Sequence, residues 1–157
     1  MAGDRQCCAT FKTSATKIFR LSDGSLFGGA GLFEEILAVR AWLEDGGDKP
    51  AGLDDFSGIL VEEGVLYRLE ERLIRDRILE PCHAVGSGAP FAITAMLAFD
   101  ATASEAVEIA ARFDPRTGGG VDSLSMQQPV RPSRVVIPIR GKGKKKPAAR
   151  MRRATRT

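Results

Sequence analysis

Strand-like alternation is clearest at Lys17-Ile18-Phe19-Arg20-Leu21, where Ile18 and Arg20 share one face of a half-buried strand. Ser22-Asp23-Gly24 predicts a hairpin turn, and residues 25–28 the returning strand. Gly28-Gly29-Ala30-Gly31 leads into a helix over residues 32–43. On that helix Phe33, Ile36, Leu37 and Arg40 fall on one face, and Glu34 and Glu35 lie near the positive end of the dipole. Trp42 is expected to pack in the core or at its edge, and the polar, Gly/Pro-bearing residues 45–55 form a loop. Residues 56–61 and 65–69 predict a second hairpin about Glu62-Glu63-Gly64. Residues 72–80 suit either an exposed connection or a ragged strand. Before the first hairpin, residues 5–11 are compatible with a strand and the polar residues 12–16 with a turn.

The pattern then changes period. An apolar strand is expected to run into Gly86-Ser87-Gly88, and Phe91, Ala92, Ala95, Met96 and Phe99 follow at helical spacing. Ser104 reads as the N-cap of a second helix whose inner face is Ala106, Val107, Ile109, Ala110 and Phe113. Pro115 ends it, and a glycine-rich turn leads to a returning strand with Val121, Ser123, Leu124 and Met126. The unit is strand, turn, helix, helix, turn, strand. Past Met126 apolar periodicity stops. Strand pairs with helices after them predict a layered α/β arrangement.

At 157 residues the chain has room for one domain with a buried core. No apolar run approaches the roughly 18 residues of a membrane span, and no signal-peptide core is evident, so a cytoplasmic protein with no membrane partner is expected. Charge changes the picture more. Residues 131–157 carry 11 of the 23 Lys and Arg and no acid, leaving 12 basic against all 20 acidic residues before them. The body is therefore acidic, and the last 27 residues are a low-complexity basic tail, expected to be disordered. Such a tail can bind polyanions in a salt-dependent way, but without aromatic residues only nonspecifically. Three cysteines do not make a disulfide framework. The adjacent Cys7 and Cys8 lack zinc-ligand spacing, so no metal is expected, and Cys82 beside His83 on a strand would face the opposite way.

Two motifs bracket the helix pair: Gly86-Ser87-Gly88 before it and Asp114-Pro115-Arg116-Thr117-Gly118 after it. Either alone is weak. Together, at this separation, they resemble the proteasome β-subunit superfamily and its bacterial relative HslV, the proteolytic subunit of an ATP-dependent protease. Ala2-Gly3-Asp4 resembles that family's Ala-x-Asp strand start, and Lys17 its active-site lysine. The likeness covers residues 1 to about 126 and implies an α/β, four-layer αββα sandwich of the N-terminal nucleophile hydrolase type, with the family's first strand upstream of Met1. Residues 127–157 lie outside it.

The resemblance also implies a chemistry. In the family an N-terminal threonine attacks the scissile carbonyl, its own α-amine serving as base. Asp4 and Lys17 would hold charge beside that hydroxyl, Gly31 would supply the oxyanion amide, and Ser87, Asp114 and Thr117 would complete the hydrogen bonds around the amine. For Lys17 the plainer alternative is a solvated lysine at a strand edge. For Ser87 and Asp114 it is capping of helix ends. Implied partners are a peptide or unfolded-protein substrate, further copies in a homo-oligomeric ring and an ATPase; no cofactor is implied. Ala2 would follow removal of Met1, and Thr10 and Thr13 are internal, so the nucleophile is expected from in-frame codons upstream of Met1. A catalytically inactive scaffold of the same fold is the alternative, and a polyanion binder acting through the tail a further one.

Overall fold

The computed structural model describes residues 1–8 and 12–126. The expected basic tail, residues 127–157, lies outside the described residues. Strands β1 (Ala2–Asp4), β2 (Gln6–Cys8), β3 (Lys12–Ser14), β4 (Ile18–Arg20) and β5 (Leu26–Gly31) precede helix α1 (Phe33–Asp45). Strands β6 (Phe56–Glu62), β7 (Val65–Leu69) and β8 (Asp76–Arg77) follow, then helices α2 (Ala89–Phe99) and α3 (Ala103–Phe113), then strand β9 (Val121–Ser123). Strands β4 to β8 form one antiparallel meander in chain order, while β1 pairs with β9 and β2 with β3.

Side-chain alternation sets the layers. On β5 and β6, Phe27, Phe56 and Leu60 point to the face that α1 covers with Ile36 and Val39, and all five are buried. Phe27 stacks between Phe19 and Phe56, with ring centroids 6.2 and 6.4 Å away. The opposite face carries the buried Ile18 and Leu26 beside Gly28. There a Cβ on Gly3 would lie 2.8 Å from Ile18 Cγ2, and one on Gly28 would lie 3.0 Å from Met1 Sδ. Glycine at both positions lets β1 approach the meander closely. Helix α3 packs on β1 and β9 from the far side and against α2. The order is thus helix, sheet, sheet, helices: the expected αββα sandwich.

Several local expectations are corrected. Lys12–Ser14 is a strand, not a turn; it pairs with Gln6–Cys8 while fully exposed, so no apolar alternation marks it. The returning strand, expected to end at Gly28, runs on to Gly31, because β6 pairs with it as far as Phe56. Helix α1 buries Glu35, Ile36 and Val39 while Leu37 is exposed, so its inner face is rotated by about one position from that expected. Residues 81–85 form no strand, which removes the opposite-faces argument for Cys82 and His83. Helix α3 is capped by Thr102, which accepts from the Glu105 amide while Glu105 reaches back to the Thr102 amide; Ser104 lies inside the helix. Phe91, Phe99 and Phe113 are exposed, and alanines 92, 95, 106 and 110 make the contact between α2 and α3.

Candidate active site

Asp4 ends β1 and Lys17 immediately precedes β4, so the close approach of the two sheets brings them face to face. Lys17 Nζ donates to Asp4 Oδ1 at 2.8 Å and to the Gln6 carbonyl at 2.7 Å. The Asp4 carboxylate is held from its other oxygen: Oδ2 accepts from the amides of Gln6 at 3.0 Å and Gly118 at 3.1 Å. Both side chains are largely withdrawn from water, at 13% and 18% exposure. A lysine drawn in from solvent at a strand edge needs such partners, because desolvating an ammonium is costly.

A second polar cluster adjoins the first. Asp114 follows the last turn of α3 and is buried. Its Oδ2 accepts from Ser87 Oγ at 2.5 Å and Thr117 Oγ1 at 2.7 Å, and Oδ1 from the Arg116 amide at 3.2 Å. These bonds, with Ser87 foremost and Thr117 next, hold the Asp114 carboxyl below its usual range. Thr117 is the residue before Gly118, whose amide binds Asp4, so one short turn serves both carboxylates. The β2–β3 ribbon braces that turn: Gln6 Nε2 and Lys12 Nζ both donate to the Pro115 carbonyl, at 2.8 and 3.1 Å.

Gly31 ends β5. With φ at +109°, and with a Cβ there falling 1.4 Å from the Asp55 carbonyl oxygen, only glycine fits. The ladder tells where its amide points. Leu32 donates to Asp55 on the β6 side, whereas Gly29 donates to the Lys17 carbonyl on the β4 side. Alternation turns the Gly31 amide to the β4 side too, one two-residue repeat past Lys17, about 7 Å along the strand. The neighbouring Ala30 meets the glycine turn, a Cβ on Gly86 falling 2.9 Å from Ala30 Cβ.

The structure therefore brings Asp4 and Lys17 into direct contact, and likewise Ser87, Asp114 and Thr117. It links the two sets through Gly118, and sets Gly31 on the strand edge beyond Lys17. Sequence reasoning missed the Gln6 carbonyl and the Gly118 amide. A backbone group carries no residue-type signal, although Gly118 stands in the same motif as Asp114 and Thr117.

Among the described residues, strand β1 has one edge on which no strand pairs. Met1 and Leu124 exchange both main-chain bonds, at 2.8 and 2.9 Å, so alternation directs the amides and carbonyls of Ala2 and Asp4 away from β9. Among the described residues β1 pairs with β9 alone. Also among them, no group of three or more His, Cys, Asp or Glu is placed to hold a metal ion, and no helix is long and apolar enough to cross a membrane.

No protein-family profile and no curated protein matches this chain. Solved structures do. BPH of Thiobacillus denitrificans in complex with epoxomicin aligns at TM-score 0.61 and 18% identity over 81% of this chain and 92% of that one. BPH of the same organism, in a second structure, aligns at 0.59 and 20% over 78% and 89%. HslV from the eukaryote Trypanosoma brucei aligns at 0.58 and 20% over 77% and 88%. The likeness is one of architecture: this chain has the HslV-like, proteasome β-subunit type of fold that its sequence motifs implied.

Proposed function

We propose that this chain is a proteasome-like, threonine-type peptidase subunit that hydrolyses peptide bonds with an N-terminal nucleophile seated along the open edge of β1. One observation carries the reading: Lys17 is withdrawn from water and fixed by Asp4 and the Gln6 carbonyl beside that edge. A strand added there would run next to Asp4, and a threonine on it would reach the Lys17 ammonium.

In that arrangement the threonine hydroxyl gives its proton to its own α-amine and attacks the scissile carbonyl. Lys17 favours the developing alkoxide by charge, and Asp4 keeps Lys17 in place. The carbonyl oxygen, now negative, takes a hydrogen bond from the Gly31 amide. The amine leaves with the proton, and water then cleaves the acyl ester. Ser87, Asp114 and Thr117 hold the turn around the α-amine. The substrate class is peptide or unfolded protein. The working form is a ring of copies served by an ATPase in the cytoplasm, with no metal or cofactor, and the basic tail adds nonspecific polyanion affinity.

The second reading, a catalytically inactive scaffold, is favoured by the internal threonines. The hydroxyls of Thr16, Thr94, Thr102 and Thr117 are bound to Asp122, the Pro90 carbonyl, Glu105 and Asp114, and Thr13 lies in the exposed β3. Among the described residues, none of these threonines is hydrogen-bonded to Lys17. A fluorogenic-peptide assay separates the readings. The chain of 157 residues is expected to be inactive, and the same chain preceded by a short threonine-led strand to cleave. Epoxomicin, held by the Thiobacillus denitrificans BPH, should block that cleavage. A folded but inert extended chain would put the scaffold reading ahead, and cleavage by the unextended chain would rule out an upstream nucleophile.

A further inference from the structure

Glu35 is an acid where an apolar residue would pack. It sits in the first turn of α1, only 7% exposed, beside Ile36 on the buried face. Its carboxylate is aimed at backbone: Oε1 accepts from the Asp54 amide at 2.9 Å and Oε2 from the Asp55 amide at 3.3 Å. These two residues end the 46–55 loop and enter β6.

Asp55 also presents its carbonyl to the end of β5. That oxygen accepts the Leu32 amide at 3.2 Å and occupies the space where a Gly31 Cβ would be. Gly31 therefore takes its positive φ against a carbonyl whose own amide is gripped by Glu35. The chain of contacts runs Glu35, Asp55, then Gly31 and Leu32. A carboxylate is well suited to the task, since its two oxygens accept two amides at once and bonds to a charged acceptor are stronger than neutral ones. It also stands in the first turn of α1, where an acidic side chain stabilises the helix end.

We propose that Glu35 is a positioning residue for the Gly31 amide: it fixes Asp55 and thereby the geometry in which Gly31 meets an oxyanion. The functional part of this inference rests on the peptidase reading; the mechanical part does not.

The test is therefore made in two arms, on Glu35→Gln and Glu35→Ala. Amide hydrogen exchange with NMR shifts is measured on the 157-residue chain. Glu35→Ala should speed exchange at Leu32, Asp54 and Asp55 by about tenfold or more and move the Gly31 amide shift, while Leu60 and Leu69 keep their protection. Glu35→Gln, which retains one acceptor oxygen, should give a smaller change in the same amides. In a threonine-led form that cleaves peptide, Glu35→Gln should lower kcat by about tenfold with KM nearly unchanged, because a misplaced oxyanion donor is felt in the transition state. Uniform loss of protection across the sheet, or an unmoved Gly31, would overturn the proposal. Altered exchange with an inert extended wild type would instead keep Glu35 as the clamp on Gly31 and sink the peptidase reading.

Discussion

The two halves of this domain are held together by different means. On the α1 side of the meander, large side chains close the core: Phe27, Ile36, Val39, Leu60 and Leu69 are essentially without solvent exposure. On the other side the buried residues between α2 and α3 are alanines, and the larger Phe91 and Phe113 stack on the outside, ring centroids 5.5 Å apart. There the helix ends and turns are fixed instead by the carboxylates of Asp4 and Asp114. One half supplies stability by burial. The other offers a close-packed, polar surface on which charges can be placed, and the candidate site lies along the border between them.

The comparison breaks first in the apolar half. Leu60→Ala should destabilise by about 2–5 kcal/mol, since it opens a cavity where Phe27 and Val39 cannot close in, and chemical denaturation will measure it. A loss below about 1 kcal/mol would mean that this half is not the main source of stability.

A smaller effect is expected from Asp114→Asn. The amide keeps one acceptor for Ser87, Thr117 and the Arg116 amide, so the loss near neutral pH should be about 1–3 kcal/mol. Its pH dependence sharpens the contrast. The Asp114 carboxyl is held below its ordinary value of 3.8 in the folded protein, so its contribution is complete above that value and disappears as pH falls through the lower folded one. Melts of wild type and Asp114→Asn should therefore differ at neutral pH and converge in acid below 3.8. The Leu60→Ala deficit should not converge, there being no proton to take up.

How much of this was legible in the sequence follows the same division. The β6–β7 hairpin was readable because alternation and turn chemistry agree: Glu63 and Gly64 take φ of 49° and 80°, as a tight hairpin requires. Strand β3 was not, since its fully exposed side chains leave no apolar period, although its partner β2 lies within the residues 5–11 read as compatible with a strand. Thr102 was passed over for Ser104 although Thr102 and Glu105 stand at capping-box spacing; a cap is fixed by a reciprocal bond, and residue type alone does not choose between neighbours. At the site, the family resemblance pointed to Asp4, Lys17, Ser87, Asp114 and Thr117, all charged or hydroxyl-bearing, and to the amide of Gly31. The other backbone donors and acceptors around them, and the grip of Glu35 on Asp55, depend on how distant segments meet, and no local pattern records that.

The most direct test of the account is the rate of peptide cleavage by the threonine-led chain with and without Lys17→Met. Lys17 is the one side chain asked to act on the nucleophile by charge, while Asp4 would still be held by the Gln6 and Gly118 amides in its absence. The account predicts that kcat/KM falls by about 10³-fold, comparable to the loss of a transition-state charge partner, while the protein still unfolds cooperatively. Cleavage that continues within about threefold of the parent rate, a difference of under 1 kcal/mol, would contradict it.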